Sequence, residues 1–303
     1  MKNIGKVMIS FDCEGKWGMI DENKSWIENL SDKNLYEIYE FILEVLEKNN
    51  LKATFGFVGA LLESEEEFRS KIKDVEKKGN HRIWLEKFFR KYERGSEGYF
   101  IPELKFMFKD CRHELATHGY CHIPFDRLSE DEAFNELKLI QSHMLSSGIS
   151  YSSLIYPRNR VAHSSILKIF GLERYRDFPN HLELKYLPKK INSILENLII
   201  FKKAEGTHKN CVPGGIMIHW FYGYRKLIPM SILSKKYEYL LNDAINKNKV
   251  AHLWLHPHNL ITSKKTKEIF VDLCKKIGDI KKEGKLVDVT FKELEQAENA
   301  IIV

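Results

Sequence analysis

Two acids and two histidines attract attention because each pair directly follows an apolar segment. Asp12 and Glu14 follow "VMISF", and His118 and His122 follow "HELAT". Side chains alternate along an extended strand, so the two acids should point to one side and Cys13 to the other. Two imidazoles and one carboxylate, with further positions open, are the ligand set of a catalytic zinc-type site. One acid would then bind the metal, while the other stays free as a base.

Further ionisable residues follow two other apolar segments. Arg158 lies in "SSLIYPRNR", and His256 and His258 lie in "VAHLWLHPHN". These positions are the carboxyl ends of predicted parallel strands, where α/β barrels and open sheets have their active sites. Each of these motifs alone has a purely structural interpretation, such as a capping acid, a surface histidine pair or a turn after a strand. Together they favour a metal-dependent site, with Cys13 as a packed thiol rather than a ligand.

Strands and helices alternate along the chain. Short apolar runs predict strands over 5–11, 52–58, 113–117, 152–156, 250–255 and 286–290. Helical spacing predicts helices over 31–50, 129–146, 231–247 and 263–283, and Ser129 with Glu132 forms a capping-box pattern. This alternation indicates an α/β fold with a mostly parallel sheet, although periodicity does not separate an open sheet from a barrel.

Residues 64–110 interrupt the alternation. The segment is highly charged and predicts a helical insertion between the second and third strands. Its charges favour a solvated face, with a substrate-contacting flap as the alternative. No internal repeat or linker appears, so we expect a single domain over 1–303.

Composition narrows the class of protein. The chain has 48 Lys and Arg against 42 Asp and Glu, and the basic residues are dispersed without a nucleic-acid motif. The excess fits a solvated surface or attraction to a phosphate-bearing substrate. Five cysteines without CxxC spacing indicate reduced thiols rather than disulfides or a zinc knot. No signal-peptide pattern or membrane-spanning run is present, so we expect a cytoplasmic protein.

Four motifs in this order resemble the polysaccharide deacetylase family, the carbohydrate esterases related to chitin and peptidoglycan deacetylases. They are "SFDCEG", "HGYCH", "YPRN" and "LWLHPHN", and "KATFGFVG" resembles the second strand of that family. The resemblance covers residues 4–165 well and 250–260 more thinly. Many members have adjacent aspartates where this chain has Asp12 and Cys13. The arginine motif also departs from Arg-x-Pro-Tyr, and no Asp-Trp motif occurs between 165 and 250, where "RYRDFP" falls in a comparable place.

The resemblance implies a distorted (β/α) barrel of about seven strands and a divalent metal, usually zinc, with nickel, cobalt or iron as alternatives. It implies removal of an acyl group, most often acetyl, from an amino sugar. By position, it implies these roles: Asp12 as general base, Glu14, His118 and His122 as metal ligands, Arg158 as the arginine that orients the base, and His256 as general acid. Which acid binds the metal stays open, and His258 competes with His256.

The expected cytoplasmic location narrows the class of substrate. A cytoplasmic N-acylated nucleotide sugar or a lipid-linked sugar suits such an enzyme better than assembled wall polymers. Tyr120, whose neighbourhood offers an oxyanion N–H donor, Trp220 in "IMIHWFYGY" and His258 are the substrate-binding candidates. A deformylase or other C–N hydrolase, or a silent sugar-binding protein, is the alternative. Neither G-x-S-x-G nor HExxH occurs. The oligomeric state is left open.

Overall fold

A computed structural model of the protein describes residues 4–109, 111–178 and 211–294. The strands are β1 (Gly5–Cys13), β2 (Thr54–Phe57), β3 (Glu114–Thr117), β4 (Ser153–Leu154), β5 (Arg174–Arg176), β6 (Cys211–Val212), β7 (Ile216–Met217), β8 (Val250–Leu255) and β9 (Leu286–Asp288). The helices are α1 (Asp32–Lys48), α2 (Glu65–Ile72), α3 (Gly79–Tyr92), α4 (Leu104–Met107), α5 (Glu130–Ser147), α6 (Met230–Asn246), α7 (Pro257–Ile261) and α8 (Lys264–Lys282).

The strands form one parallel sheet with β1 near its centre. The order is β6-β5-β4-β3-β2-β1-β8-β7. Strand β2 pairs with the carboxyl-terminal half of β1, β8 pairs along its other edge, and β9 pairs with Gly5 to Val7. The sheet is a curled half-barrel surrounded by helices, which confirms the predicted distorted (β/α) barrel. Since all strands run the same way, their carboxyl ends meet along one edge.

The two faces of β1 have different surroundings. Val7, Ile9, Phe11 and Cys13 belong to the large core between sheet and helices. Met8 instead packs inside the curl, in a small cluster with residues that include Ala116, Ile155 and Val212. Asp12 shares the inner face with Met8 because they are an even number of residues apart. The prediction that Cys13 is a packed thiol pointing away from the acids is confirmed.

Local sequence signals account for the helices that support the sheet. In α1, the Ser31 side chain accepts a hydrogen bond from the Asn34 N–H, and Leu35, Ile38 and Ile42 bury one face. In α5, Ser129 and Glu132 form the predicted capping box, and Gly148 ends the helix with φ of 71°. These helices are confirmed within one or two residues.

The strand count differs from the prediction. The described residues contain nine strands rather than about seven. Strands β5, β6 and β7 are only two or three residues long, too short for a period-two pattern to emerge from sequence. The single-domain boundary stays a prediction.

The charged insertion is more than a solvated surface. It contains α2, α3 and α4, and its aromatic side chains surround Trp17, which follows β1. The Trp17 ring stacks on Phe88 at 4.4 Å, contacts Phe68 edge-on, and donates its indole N–H to the Tyr99 carbonyl. The insertion therefore holds the segment that follows Asp12 and Glu14. None of the helices in the described part of the chain combines the length and apolar character needed to span a bilayer.

Candidate active site

Asp12 lies at the end of β1 and is held by an arginine from β5. Arg176 donates two parallel hydrogen bonds to the carboxylate, from Nη1 to Oδ1 at 2.7 Å and from Nη2 to Oδ2 at 2.6 Å. Both side chains are buried. Burial alone would raise the pKa of Asp12, but the Arg176 guanidinium, with smaller contributions from His118 and His256, lowers it below its ordinary value. Asp12 is therefore a buried, ionised and fixed carboxylate.

The expectation that Arg158 holds Asp12 is corrected by these contacts. Arg158 instead donates to the Gly18 carbonyl at 2.7 Å and pairs with Asp21 and Glu22. The cause is the backbone after β4, where Arg158 and Asn159 both have left-handed φ, at 58° and 53°. The turn directs Arg158 to the loop after β1.

Asn159 takes the inward position that sequence reasoning gave to Arg158. Its amide oxygen accepts a hydrogen bond from Arg176 Nη2 at 2.6 Å. Neither Arg176 nor Asn159 was predicted as a functional residue. The available signal was "RYRDFP", in which Arg174 and Arg176 flank a tyrosine at strand spacing and so share one face of β5.

A second layer lies beneath the Asp12–Arg176 pair. Arg176 Nη1 is 3.4 Å from Ser10 Oγ, and Ser10 Oγ is 2.8 Å from His252 Nε2. His252 Nδ1 faces the Pro213 carbonyl oxygen, which can only accept, so Nδ1 carries the proton and Nε2 accepts from Ser10. The guanidinium also lies 4.6 Å from the centre of the Trp254 ring. These contacts fix the orientation of Arg176.

Glu14, His118 and His122 converge beside Asp12. One donor atom from each lies within 4.8 Å of the others, and all three residues are buried. Glu14 Oε2 is 2.8 Å from His122 Nε2 and 3.5 Å from His118 Nε2. His122 reaches this position through a left-handed backbone with φ of 59°, so the four-residue spacing of the histidines belongs to a loop and not to a helix.

The donors of this group suit a divalent metal. His118 Nδ1 donates to the Ile155 carbonyl at 2.7 Å, so its Nε2 keeps a free lone pair. Within the described residues, neither buried ring nitrogen of His122 forms a hydrogen bond of good geometry, although Nε2 lies 2.8 Å from Glu14 Oε2. Buried polar atoms are normally satisfied, and a cation bound by both imidazoles and the carboxylate would satisfy these.

The protonation states also suit metal binding. Burial lowers the pKa of His122 to about 4, although Glu14 opposes the shift. Burial would raise the pKa of Glu14, but the surrounding histidines, His256 first, hold it well below its usual range. At neutral pH, Glu14 is a carboxylate and His122 a neutral imidazole, which are the forms that coordinate metals.

Gly18 makes room for the Glu14 carboxylate. A Cβ atom at residue 18 would overlap the Glu14 carboxylate carbon and oxygens. We expect Gly18→Ala to displace this carboxylate and weaken zinc binding by roughly 10- to 100-fold, in the range of changes that disturb ligand orientation. Competition with a chromophoric chelator measures the affinity. Gly95→Ala is the matched control, because nothing lies within 4 Å of a Cβ there. Equal zinc affinity in both variants would contradict the prediction.

His256 and His258 follow β8 and occupy different environments. The His256 side chain is 22% exposed, and its Nε2 is 3.8 Å from Asp12 Oδ2 and 3.7 Å from Glu14 Oε1. His258 is buried, stacks on Trp26 at 5.0 Å, and its pKa is lowered to about 3 by burial and by His256. His256 is thus the more accessible of the two and lies near both acids, whereas His258 is a buried, neutral ring whose Nδ1 lies 3.8 Å from Glu14 Oε1.

The substrate-binding expectation for Tyr120 is not matched by its contacts. Its ring is fully buried and its hydroxyl donates to Glu63 Oε2 at 2.6 Å. Its backbone N–H, and that of Cys121, donate to Glu136 Oε1 at 2.8 and 2.9 Å. These N–H groups are therefore engaged in holding the loop between His118 and His122. Glu136, from α5, is a supporting residue that sequence reasoning missed.

Trp220 lies in an aromatic wall next to His258. Its ring stacks on Tyr222 at 4.7 Å and meets Trp26 and His258 edge-on, while its indole N–H donates to Thr262. The ring is only partly buried. Trp220 thus retains an accessible aromatic surface near His258.

Comparison with known proteins shows the fold but no close relative. No protein-family model matches the chain, and no curated protein matches its sequence. Among solved structures, a candidate polysaccharide deacetylase from Mycobacterium smegmatis aligns with a TM-score of 0.60 and 12% identity, over 100% of this chain and 92% of that one. The 4-alpha-glucanotransferase from Thermococcus litoralis aligns with a TM-score of 0.50 and 16% identity, over 97% of this chain and 40% of that one.

The chain therefore has the fold of the polysaccharide deacetylases. Because a glucanotransferase shares this architecture, the fold alone does not define the reaction. The reaction depends on the side chains at the carboxyl edge of the sheet.

Proposed function

We propose that the protein is a metal-dependent hydrolase that removes an N-acyl group, most simply acetyl, from an amino sugar. The observation that supports this proposal most directly is that the two acids, Asp12 and Glu14, have different contacts. Glu14 lies with His118 and His122, whereas Asp12 is kept apart from them by its pair of hydrogen bonds to Arg176. Metal-dependent amide hydrolysis uses a metal held by its ligands and a base that is not one of them, and the two acids would supply one group for each task.

Glu14, His118 and His122 would hold the metal, and zinc suits this set of one oxygen and two nitrogen donors. Nickel, cobalt or iron would accept the same donors. The bound ion would polarise the amide carbonyl and lower the pKa of water at the site.

Asp12 and His256 would move the protons. Asp12 is ionised and fixed by Arg176, so it can accept a proton from the attacking water. His256 is partly exposed and lies within 4 Å of both acids, so it can donate a proton to the leaving sugar amine. His258 suits this role less well because its pKa of about 3 leaves it without a proton to give at neutral pH.

The surroundings support a sugar substrate made in the cytoplasm. The accessible ring of Trp220, beside Tyr222, offers a flat apolar surface on which a sugar ring can stack. All five cysteines are free thiols, as suits a reducing compartment. The net charge of +6 is compatible with a nucleotide-linked or lipid-linked sugar.

Two alternatives remain distinct in their outcomes. A deformylase or another C–N hydrolase would use the same site and release formate or a different acid. A silent sugar-binding protein would bind sugars without releasing any acid.

The test is acid release by the zinc-loaded protein from N-acetyl and N-formyl amino sugars, both free and nucleotide-linked. We expect acetate release by the wild type and a loss of about 10²- to 10⁴-fold in kcat for Asp12→Asn, with zinc content unchanged. Formate release alone would favour the deformylase. An Asp12→Asn protein with full activity, or a wild type that releases neither acid while binding zinc, would refute the mechanism.

A further inference from the structure

A basic cavity is lined in part by the loop that follows Glu14. Its volume is about 360 Å³, and one wall is formed by the loop residues Lys16 and Lys24. The other wall comes from the end of α3 and the residues after it, including Lys91 and Arg94. We call this cavity the Lys16 pocket. Its volume is within the range of small-ligand sites.

Positive charge exceeds negative charge in this pocket. Four cationic side chains line it against two acids, Glu22 and Glu28. The Glu22 carboxylate accepts a hydrogen bond from Arg158 at 3.2 Å, so its charge is already compensated. Burial lowers the pKa of Lys91, Asp21 and Glu22 oppose that shift, and the charge of Arg94 adds to it.

Lys16 is the most informative of these cations. The residue is only 8% exposed, and within residues 4–109, 111–178 and 211–294 its ammonium group forms no hydrogen bond or ion pair. The nearby Asp32 carboxylate is instead engaged by the Gly98 N–H at 2.6 Å. A negative charge close to such a largely buried side chain would stabilise its ammonium group. An anionic ligand in the pocket would do so.

The walls are held together independently of any ligand. Lys91 Nζ donates to the Met19 carbonyl at 2.8 Å and also to the Glu22 carbonyl, which ties α3 to the loop after β1. The same loop carries Gly18, which lies against the Glu14 carboxylate. The pocket is thus preformed, and one of its walls belongs to the loop that also places Gly18 against Glu14.

We propose that the Lys16 pocket binds the phosphate or diphosphate group of the substrate. Lysine ammonium groups are point charges that suit phosphate oxygens, and two lysine-bearing walls suit a group with several such oxygens. The charged insertion would then supply one side of a substrate site. This inference deepens the proposed function, on which it rests for the amino sugar, but the pocket itself can be tested without turnover.

The test is calorimetric titration of the zinc-loaded protein with UDP, with inorganic pyrophosphate and with a polyprenyl diphosphate in phosphatidylcholine vesicles. Removing one cation should weaken binding by about 10- to 100-fold, the range for hydrogen bonds to charged groups. Lys16→Met removes the ammonium group of a largely buried side chain, and Arg94→Gln removes an exposed cation with little risk to folding. Lys33→Met is the matched control, because it removes the same charge from an exposed site on α1.

Each outcome decides the proposal. The proposal is supported if UDP or the polyprenyl diphosphate binds more tightly than pyrophosphate, and if both pocket variants weaken that binding while Lys33→Met does not. The ligand that binds more tightly then identifies the source of the phosphate. If only pyrophosphate binds, and the variants affect its binding in the same way, the pocket is a phosphate site that does not recognise a nucleoside or a lipid. No binding, or equal affinity in all variants, overturns it. Binding that is lost in His122→Ala but kept in Lys16→Met also overturns it, because the phosphate would then bind the metal.

The binding result is separable from the proposed reaction. A protein that binds UDP through Lys16 but releases no acyl group would retain the pocket and lose the deacetylase proposal. A protein that deacetylates free and nucleotide-linked sugars with equal KM, unchanged by Lys16→Met, would retain the reaction and lose the pocket.

Discussion

Replacing Arg176 by alanine should lower the free energy of unfolding by about 3–5 kcal/mol, the usual result of leaving a buried charge without its partner. The reason is that Asp12 is fully buried and Arg176 supplies both of its hydrogen bonds from the guanidinium. Without Arg176, burial will raise the pKa of Asp12 and favour its protonated form, which cannot act as a base. We therefore also expect a fall in kcat of at least about 100-fold. Urea unfolding and steady-state acid release measure the two effects.

Arg158→Ala is the matched control. The Arg158 side chain is 31% exposed and pairs with two acids near the surface, so its removal should change the free energy of unfolding by about 1 kcal/mol or less. Arg176→Lys keeps the positive charge but cannot form the bidentate pair of hydrogen bonds, so we expect losses of stability and of kcat between those of the wild type and Arg176→Ala. If Arg158→Ala were the more damaging variant in both stability and turnover, our assignment of Arg176 would be wrong.

Residues next to long strands could be predicted from the sequence. Strand β1 has nine residues, so its alternation places Asp12 inside the curl and Cys13 outside without reference to any other segment. The carboxyl ends of β1, β3 and β8 lie along one edge because all three strands are parallel. That geometry brings Glu14, His118 and His122 together, as the strand-end argument required.

Residues whose partners come from short strands could not be predicted in this way. Arg176 ends a three-residue strand, and only the packing of β5 into the sheet places it opposite Asp12, 164 residues away. Arg158 lies in a motif that resembles the base-holding one, but two consecutive left-handed residues turn it outward. The sequence around Tyr120 predicted a free N–H donor for an oxyanion, but this N–H donates to Glu136. Glu136 belongs to α5, and the motif "HGYCH" contains no signal for that contact.

Replacing His122 by alanine should remove the metal. Its imidazole is one of the two nitrogen donors in the group of Glu14, His118 and His122, and within the described part of the chain its ring nitrogens form no hydrogen bond of good geometry. We expect zinc affinity to fall by more than the roughly 10- to 100-fold typical of changes outside the ligand shell. The fold should survive, because the substitution leaves a small cavity and breaks no hydrogen bond among the described residues. Elemental analysis after dialysis against a weak chelator measures zinc content, and thermal unfolding with and without zinc measures the linked stabilisation.

His113→Gln provides the matched histidine control. His113 precedes β3 and His118 follows it, so the two histidines lie at opposite ends of the same strand. His113 accepts a hydrogen bond from the Ala53 N–H and does not belong to the candidate metal group of Glu14, His118 and His122. The control should keep stoichiometric zinc, and added zinc should raise its unfolding temperature as in the wild type. Equal zinc content in wild type, His113→Gln and His122→Ala would mean that the ion binds elsewhere. Negligible zinc in all three, even after reconstitution, would remove the hydrolase proposal and favour a sugar-binding protein.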